Sequence, residues 1–583
     1  MTGHARRALL VLLAAASLIA LAACGSSNDN NKSANNGGGA EINPVSGQKK
    51  GGTLKVQSVE GFEHLDPGSS YFQLDYEVVY ATQRPLYSFK PDDFKEAVPD
   101  LAATQPEISA DQKTVTVKIR PNVKYSPPVN RTVTSKDVKY AIERGFNPNV
   151  ANGYAPSYFI DLEGADKAKG GPIAGLQTPD DTTIVFKLTK PFGATMARAL
   201  SLPLSVPVPE DYIKQINGDA KSPSEYDSDP TKQAFTGPYV IKSYSPGKSI
   251  ALARNPNWDG KATADYRPAY LDGATWQIGT DPNVSGRQIL TGQDLVNGDT
   301  PAAPIIKLGV TKYKDQISFT PLGNRYVGMN TSIPPFDNVN LRKAVVAATD
   351  RKALQLTRGG PVAGDIATHI LAPTAPGYDA AGGAKGPDLD FLANPNGDQA
   401  VATKYMKAAG FPSGKYSGPP ITMIGDNGDP AAKTAQVVLQ TFQKLGFKVN
   451  FRSVSHETMY SRFCNVPKQK VNVCPNVGWL PDFPDGYAWL YPTFDSKAIV
   501  PENNSNWPQL KNSQVDATIQ KAIGTTNEQK REDAWGQVDK EVTSLAPVIP
   551  WFWDNTPNIQ SKNVQGVIAQ WNAAYDLSFT SLK

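Results

Sequence analysis

The side chains with the most distinctive chemistry in this 583-residue chain are few: three cysteines, four histidines and a closely spaced pair of aspartates. Cys464 and Cys474 lie ten positions apart. An even pair in an oxidising compartment reads as a disulfide, and closing so short a loop stabilises by roughly 2–3 kcal/mol. Structural zinc would want four ligands, and the only histidine nearby is His456. Asp482 and Asp485 are the nearest approach to the carboxylate pair of a glycosidase, although two such groups in a loop commonly face water. Gly247-Lys248-Ser249 ends as a phosphate-binding loop does, but Lys242 stands where its first glycine belongs. There is no G-x-S-x-G elbow and no H-E-x-x-H pair. Catalysis therefore has little support, and no cofactor or metal is expected.

The N-terminus carries the strongest sorting information. Arg6 and Arg7 precede an apolar run from Ala8 to Ala20, which closes in Leu21-Ala22-Ala23-Cys24. A basic start, a short apolar stretch and small residues at a cut site make a secretory signal. The run is shorter than the ~20 residues that a spanning helix needs. The cut before a cysteine resembles the lipobox of bacterial lipoproteins, which implies a signal peptide over 1–23 and lipidation at Cys24. Residues 24–50 are rich in Gly, Asn and Ser and read as a flexible tether. The expected place of work is the outer face of the cytoplasmic membrane.

The remaining chain must supply the scaffold. Its length exceeds what one core usually holds, so two or more lobes are expected. Hydrophobic content of 40%, charged content of 20% and a net charge of +4 are ordinary for a globular protein. Basic and acidic residues are dispersed, which argues against nucleic-acid binding. Strands are predicted at 53–56, 114–120, 182–188 and 448–451 by alternation, and a further strand begins near Tyr239. Helices are predicted over 136–144 behind Ser135 as N-cap, over 338–356 and over 431–445. Arg342 and Asp350 are placed to form an ion pair on the second of these. Helix, Gly446 and strand in succession form an αβ unit, so the class is α/β with mixed sheets. No repeat of 20–50 residues is visible.

Nine short motifs then occur in an order that resembles the substrate-binding proteins of bacterial ABC importers of the oligopeptide, dipeptide and nickel type, known as family 5. They are Gly51-Gly52-Thr53-Leu54 with Leu65-Asp66-Pro67; Arg84-Pro85-Leu86-Tyr87; Val98-Pro99-Asp100-Leu101-Ala102; Ile119-Arg120-Pro121-Asn122-Val123; and Thr134-Ser135-Lys136-Asp137-Val138. After them come Thr236-Gly237-Pro238-Tyr239 with Arg254-Asn255-Pro256-Asn257-Trp258; Met329-Asn330 with Pro334-Pro335-Phe336-Asp337 and Thr349-Asp350-Arg351; Gly478-Trp479-Leu480-Pro481-Asp482-Phe483; and Ala546-Pro547-Val548-Ile549-Pro550. The resemblance covers nearly all of the chain from Gly51 to about Val567.

The resemblance implies a two-lobed fold of periplasmic-binding-protein type, with a hinge between lobes and an extra inserted subdomain. Lobe I is expected to take 51–90, 236–320 and 546–583, the inserted subdomain 91–235, and lobe II 321–545. In peptide-binding members the loop matching Gly478–Asp482 lines the cleft and its aspartate meets the peptide's α-amine. Asp482 stands at that position, Trp479 would form an apolar wall, and Gly478 and Leu480 offer backbone groups to an extended peptide. Tyr71, Phe72 and Tyr487 are expected to add aromatic surface, which suits sugars as well as peptides. The arginine that some members carry before the Gly-Trp pair is replaced by Asn476 and Val477. The implied function is capture of peptides by a monomeric, lipid-anchored receptor that delivers them to a membrane permease. The alternatives are an oligosaccharide or a metal or haem chelate on the same fold, a sensor without import, and an extracellular hydrolase.

Overall fold

A computed structural model describes residues 48–91, 93–217, 225–260, 265–569, 571–572 and 574–583. The predicted signal peptide, the lipidation site Cys24 and nearly all of the tether lie outside the described residues. No helix among the described residues is long and apolar enough to cross a membrane.

Two mixed sheets anchor the two lobes. The first has five strands in the order Leu295–Asn297, Thr53–Gln57, Gly273–Gln277, Ser249–Arg254 and Tyr239–Ser245. Thr53–Gln57 runs parallel to both neighbours, and its Leu54 and Val56 enter a core with Trp276 and Leu252. Gly247-Lys248-Ser249 is simply the turn into the Ser249–Arg254 strand, with Gly247 at φ +64°. The second sheet has six strands, ordered Gly364–Asp365, Val548–Ile559, Ile317–Met329, Val473–Trp479, Ile421–Asp426 and Val449–Val454. The last two strands are parallel and joined by the helix Ala431–Lys444, the αβ unit expected from the sequence.

Between 91 and 235 the chain builds an antiparallel four-stranded sheet from Glu107–Ile108, Thr114–Lys118, Thr183–Lys187 and Leu176–Asp180. The helix Ser135–Gly145 packs against it, and its N-cap is Thr134 rather than Ser135. The Asp137 carboxylate accepts the Thr134 N–H at 2.8 Å, which starts the helix one residue early.

Three expectations are corrected. The helix predicted over 338–356 is two helices, Val339–Ala348 and Arg351–Thr357, because Asp350 caps a new N-terminus by accepting the Ala353 N–H at 2.8 Å. Arg342 consequently does not pair with Asp350; it donates to the carbonyls of Phe336 and Leu545 at 2.6 and 2.7 Å. The return to lobe I expected at 546 comes later. Val548–Ile559 is the antiparallel partner of Ile317–Met329, and the chain rejoins the first core only from Val564. The crossings near 297–316 and 559–563 lie side by side: Asn297 Oδ1 accepts the Ile559 N–H at 2.6 Å, and Gln316 Nε2 donates to the Gln560 carbonyl at 2.9 Å. Paired strand ends of this kind are where a hinge between lobes belongs.

Candidate functional site

A cavity of about 140 Å³ opens between the lobes, walled by 59–76 and 298–300 from the first and by parts of 325–554 from the second. The strand Val473–Trp479 brings the most chemistry to it. That strand is central and nearly all buried, yet it contains Pro475, which has no N–H for a ladder. A bulge resolves this: Gly328 pairs with Cys474 and Tyr326 with Val477, so Pro475 and Asn476 face one residue. The Cys464–Cys474 disulfide ties the same strand to the segment Met459–Cys464.

Six of the residues singled out from sequence line this cavity: Tyr71, Phe72, Gly478, Trp479, Leu480 and Asp482. Trp479 turns its indole N–H onto the Ala488 carbonyl at 3.0 Å and leaves ring surface beside Tyr71 at 6.2 Å. Phe72 meets Tyr460 edge-on at 5.3 Å. Tyr487 is a correction. Its ring stacks on Tyr491 at 4.6 Å and its hydroxyl donates to the Ser157 carbonyl, so it packs behind the cavity and not in its wall. It is the second residue of the helix Gly486–Phe494, whose N-cap Asp485 also binds Arg198 and Arg531 at 2.8 Å. Asp485 is thus a structural anion, and neither it nor Asp482 faces water.

Asp482 is 6% exposed. Its one hydrogen-bond partner among the described residues is the hydroxyl of Tyr158, which donates from the inserted subdomain. No cation meets it. Burial pushes its carboxyl up to about 7, opposed only by the Tyr158 bond. A carboxylate in that state gains much from an incoming ammonium, because the cost of burying the charge is already met by the fold.

Residues that sequence reading missed form the other walls. His456 stands 2.9 Å from Asp426 and 3.5 Å from Glu60, which belongs to the other lobe. Burial works against its charged ring, but Glu60 and Asp426 outweigh it and hold its pKa up at about 10. Arg325 lies opposite Gly478 in the sheet and binds Asp554. Arg358 shares Asp554 at 3.7 Å and donates across the cleft to Thr300 Oγ1 at 2.9 Å. The Arg358 Nε is buried without a hydrogen-bond partner. Burial and the charge of Arg325 lower its pKa to about 10, so it stays charged at neutral pH. The cavity therefore offers a carboxyl at Asp482 without a cation among the described residues, and at Arg358 an Nε–H that makes no hydrogen bond though Asp554 lies 3.7 Å away.

Comparison with known proteins gives these features a context. The sequence profile of bacterial extracellular solute-binding proteins, family 5 (middle region), matches residues 96–500. The chain is 24% identical over 512 residues to a probable D,D-dipeptide-binding periplasmic protein of Escherichia coli, covering 86% of this chain and 89% of that one. It is 27% identical over 467 residues to heme-binding protein A of Haemophilus influenzae, covering 76% and 77%. Among solved structures, clavulanic acid biosynthesis oligopeptide binding protein 2 superposes with a TM-score of 0.75 at 28% identity, over 94% of this chain and 98% of that one. With a profile match over most of its length and a two-lobed fold around a lined cleft, this chain belongs to the bacterial extracellular solute-binding proteins of family 5.

Proposed function

We propose that this protein captures a short peptide in the inter-lobe cavity, with the peptide's free α-ammonium on Asp482 and its carboxylate toward Arg358. The single observation that carries the reading is the buried Asp482 carboxyl, which has a hydroxyl partner and no cation. An ammonium supplies the missing charge through short, charge-assisted hydrogen bonds. Arg358, whose Nε makes no hydrogen bond and lies 3.7 Å from Asp554, supports the other end. Gly478 and Leu480 flank the strand end and offer main-chain groups to a ligand between them, which binds a peptide without reading its side chains. The relatives point the same way, since several bear peptide-binding names. Held at the outer membrane face through Cys24, the closed, loaded form would dock on a permease, and reopening about the paired crossings would release the ligand.

A compact ligand fits better than haem, despite the heme-binding relative. The one histidine lining the cavity among the described residues is occupied by Glu60 and Asp426. Titration calorimetry with tri-alanine tests the assignment. The Asp482→Asn variant is expected to bind at least about thirtyfold more weakly than wild type, the scale of a lost charge-assisted bond. Equal affinity would remove Asp482 from the site.

A further inference from the structure

The cavity holds more carboxyl groups without a cation than the peptide's α-ammonium can answer. Arg325 and Arg358 serve Asp554, His456 serves Glu60 and Asp426, and Lys433 outside the wall serves Asp429 at 2.6 Å. Asp482, Glu63 and Asp299 remain without a cation among the described residues. The Glu63 carboxyl has no side-chain hydrogen-bond or ion-pair partner among them and bonds its own backbone N–H, and Asp299 spends one oxygen on the N–H groups of Val59 and Glu60 at 2.7 and 2.9 Å.

The amides on the facing wall give a second, independent sign. Asn476, in the bulge, donates its Nδ2 to Asp426 Oδ2 at 3.1 Å, which fixes its orientation. Its Oδ1 is then an acceptor without a donor in a side chain that is 1% exposed. Asn465 is 3% exposed; its Oδ1 is likewise unsatisfied, and its side-chain amide has no partner among the described residues. Both residues line the cavity, and the disulfide beside Asn465 holds it against the strand of Asn476. Buried polar atoms are rarely left unpaired unless something else pairs with them. Tyr460 and Trp507 line the same cavity, edge-on to each other at 4.6 Å, and offer aromatic surface to a cation.

Resting on the peptide reading above, we propose that Glu63, Asn465 and Asn476 form a second cation-accepting subsite, which selects peptides carrying a basic side chain, guanidinium above all. A guanidinium brings five N–H donors in a plane to a wall of acceptors, carboxylates and ring faces. An acidic side chain would meet Glu60, Glu63 and Asp299, and an apolar one would leave the amide oxygens unanswered.

The test uses calorimetry on the full chain with alanine tripeptides that carry one arginine at each position in turn, and with counterparts in which neutral citrulline replaces it. The best arginine peptide is expected to bind at least about tenfold more tightly than its citrulline twin, and Glu63→Gln is expected to shrink that ratio below about threefold. If both twins bind equally to wild type, the subsite is refuted while the peptide reading stands. An unchanged ratio in Glu63→Gln refutes its location. Should no tripeptide bind at all, the peptide reading and this subsite fall together.

Discussion

Two groups of buried carboxylates in this molecule have opposite fates. Where the inserted subdomain meets lobe I, Asp100 and Asp265 are fully buried beside Arg84 and Arg267, with Arg267 at 2.9 Å from Asp100 and 3.1 Å from Asp265. Two cations answer two anions there: the guanidinium groups outweigh burial to hold the Asp265 carboxyl well below its usual range, while at Asp100 burial outweighs them and holds the carboxyl up. In the cleft, Asp482 is as well shielded, yet it has only Tyr158 and its carboxyl is pushed up to about 7. Burying a charge is costly unless it is paired. The first group is paired within the chain and is therefore architecture. The second has no cation among the described residues, and the proposed function assigns that place to the ligand's ammonium.

Breaking the architectural group gives the largest expected effect. Arg267→Met leaves two buried aspartates, Asp100 and Asp265, to the single cation Arg84, so urea unfolding is expected to show a loss of roughly 3–5 kcal/mol. A loss under about 1 kcal/mol would mean that the paired group contributes nothing distinctive. The cleft group is expected to respond with the opposite sign. The folded, empty protein holds the Asp482 proton up to about pH 7, whereas the unfolded chain releases it near the ordinary value of 3.8. Its carboxyl therefore costs stability as pH rises through that window. Asp482→Asn removes the cost and should stabilise the empty protein at pH 8 by roughly 1–2 kcal/mol, after allowing for the amide it still buries. At pH 4 the gain should vanish. Peptide binding is expected to follow the same group, weakening by about tenfold per pH unit below 7, because the ammonium needs the ionised carboxylate. A flat binding profile from pH 5 to 7 would show that Asp482 does not meet the cation.

The fold was readable where local pattern and ordered motifs agreed. The strand at 53–57 and the 431–444 helix with its following strand stand close to their predicted bounds. Boundaries failed where one side chain decides: Asp350 restarts a helix that apolar spacing alone carries through, and Val548–Ile559 joins the sheet of lobe II through pairing with residues more than two hundred positions earlier. Asp482 was legible because its motif is contiguous. Arg325, Arg358 and Glu63, which line the cavity, and Tyr158, which bonds Asp482, were not, since each arrives through long-range topology with no local spacing to mark it. Tyr487 misled for a related reason: an aromatic close to the motif in sequence is turned by the helix behind Asp485 toward Ser157.

The account turns on whether the uncompensated carboxyl in the cleft exists to receive a free α-ammonium. Calorimetry at pH 7.5 comparing tri-alanine with its N-acetylated form asks this of the unaltered protein. The expected result is binding of the free-amine peptide and a loss of at least about a hundredfold on acetylation, which removes the charge and leaves Asp482 facing an amide. Equal affinity for the two peptides would contradict the account.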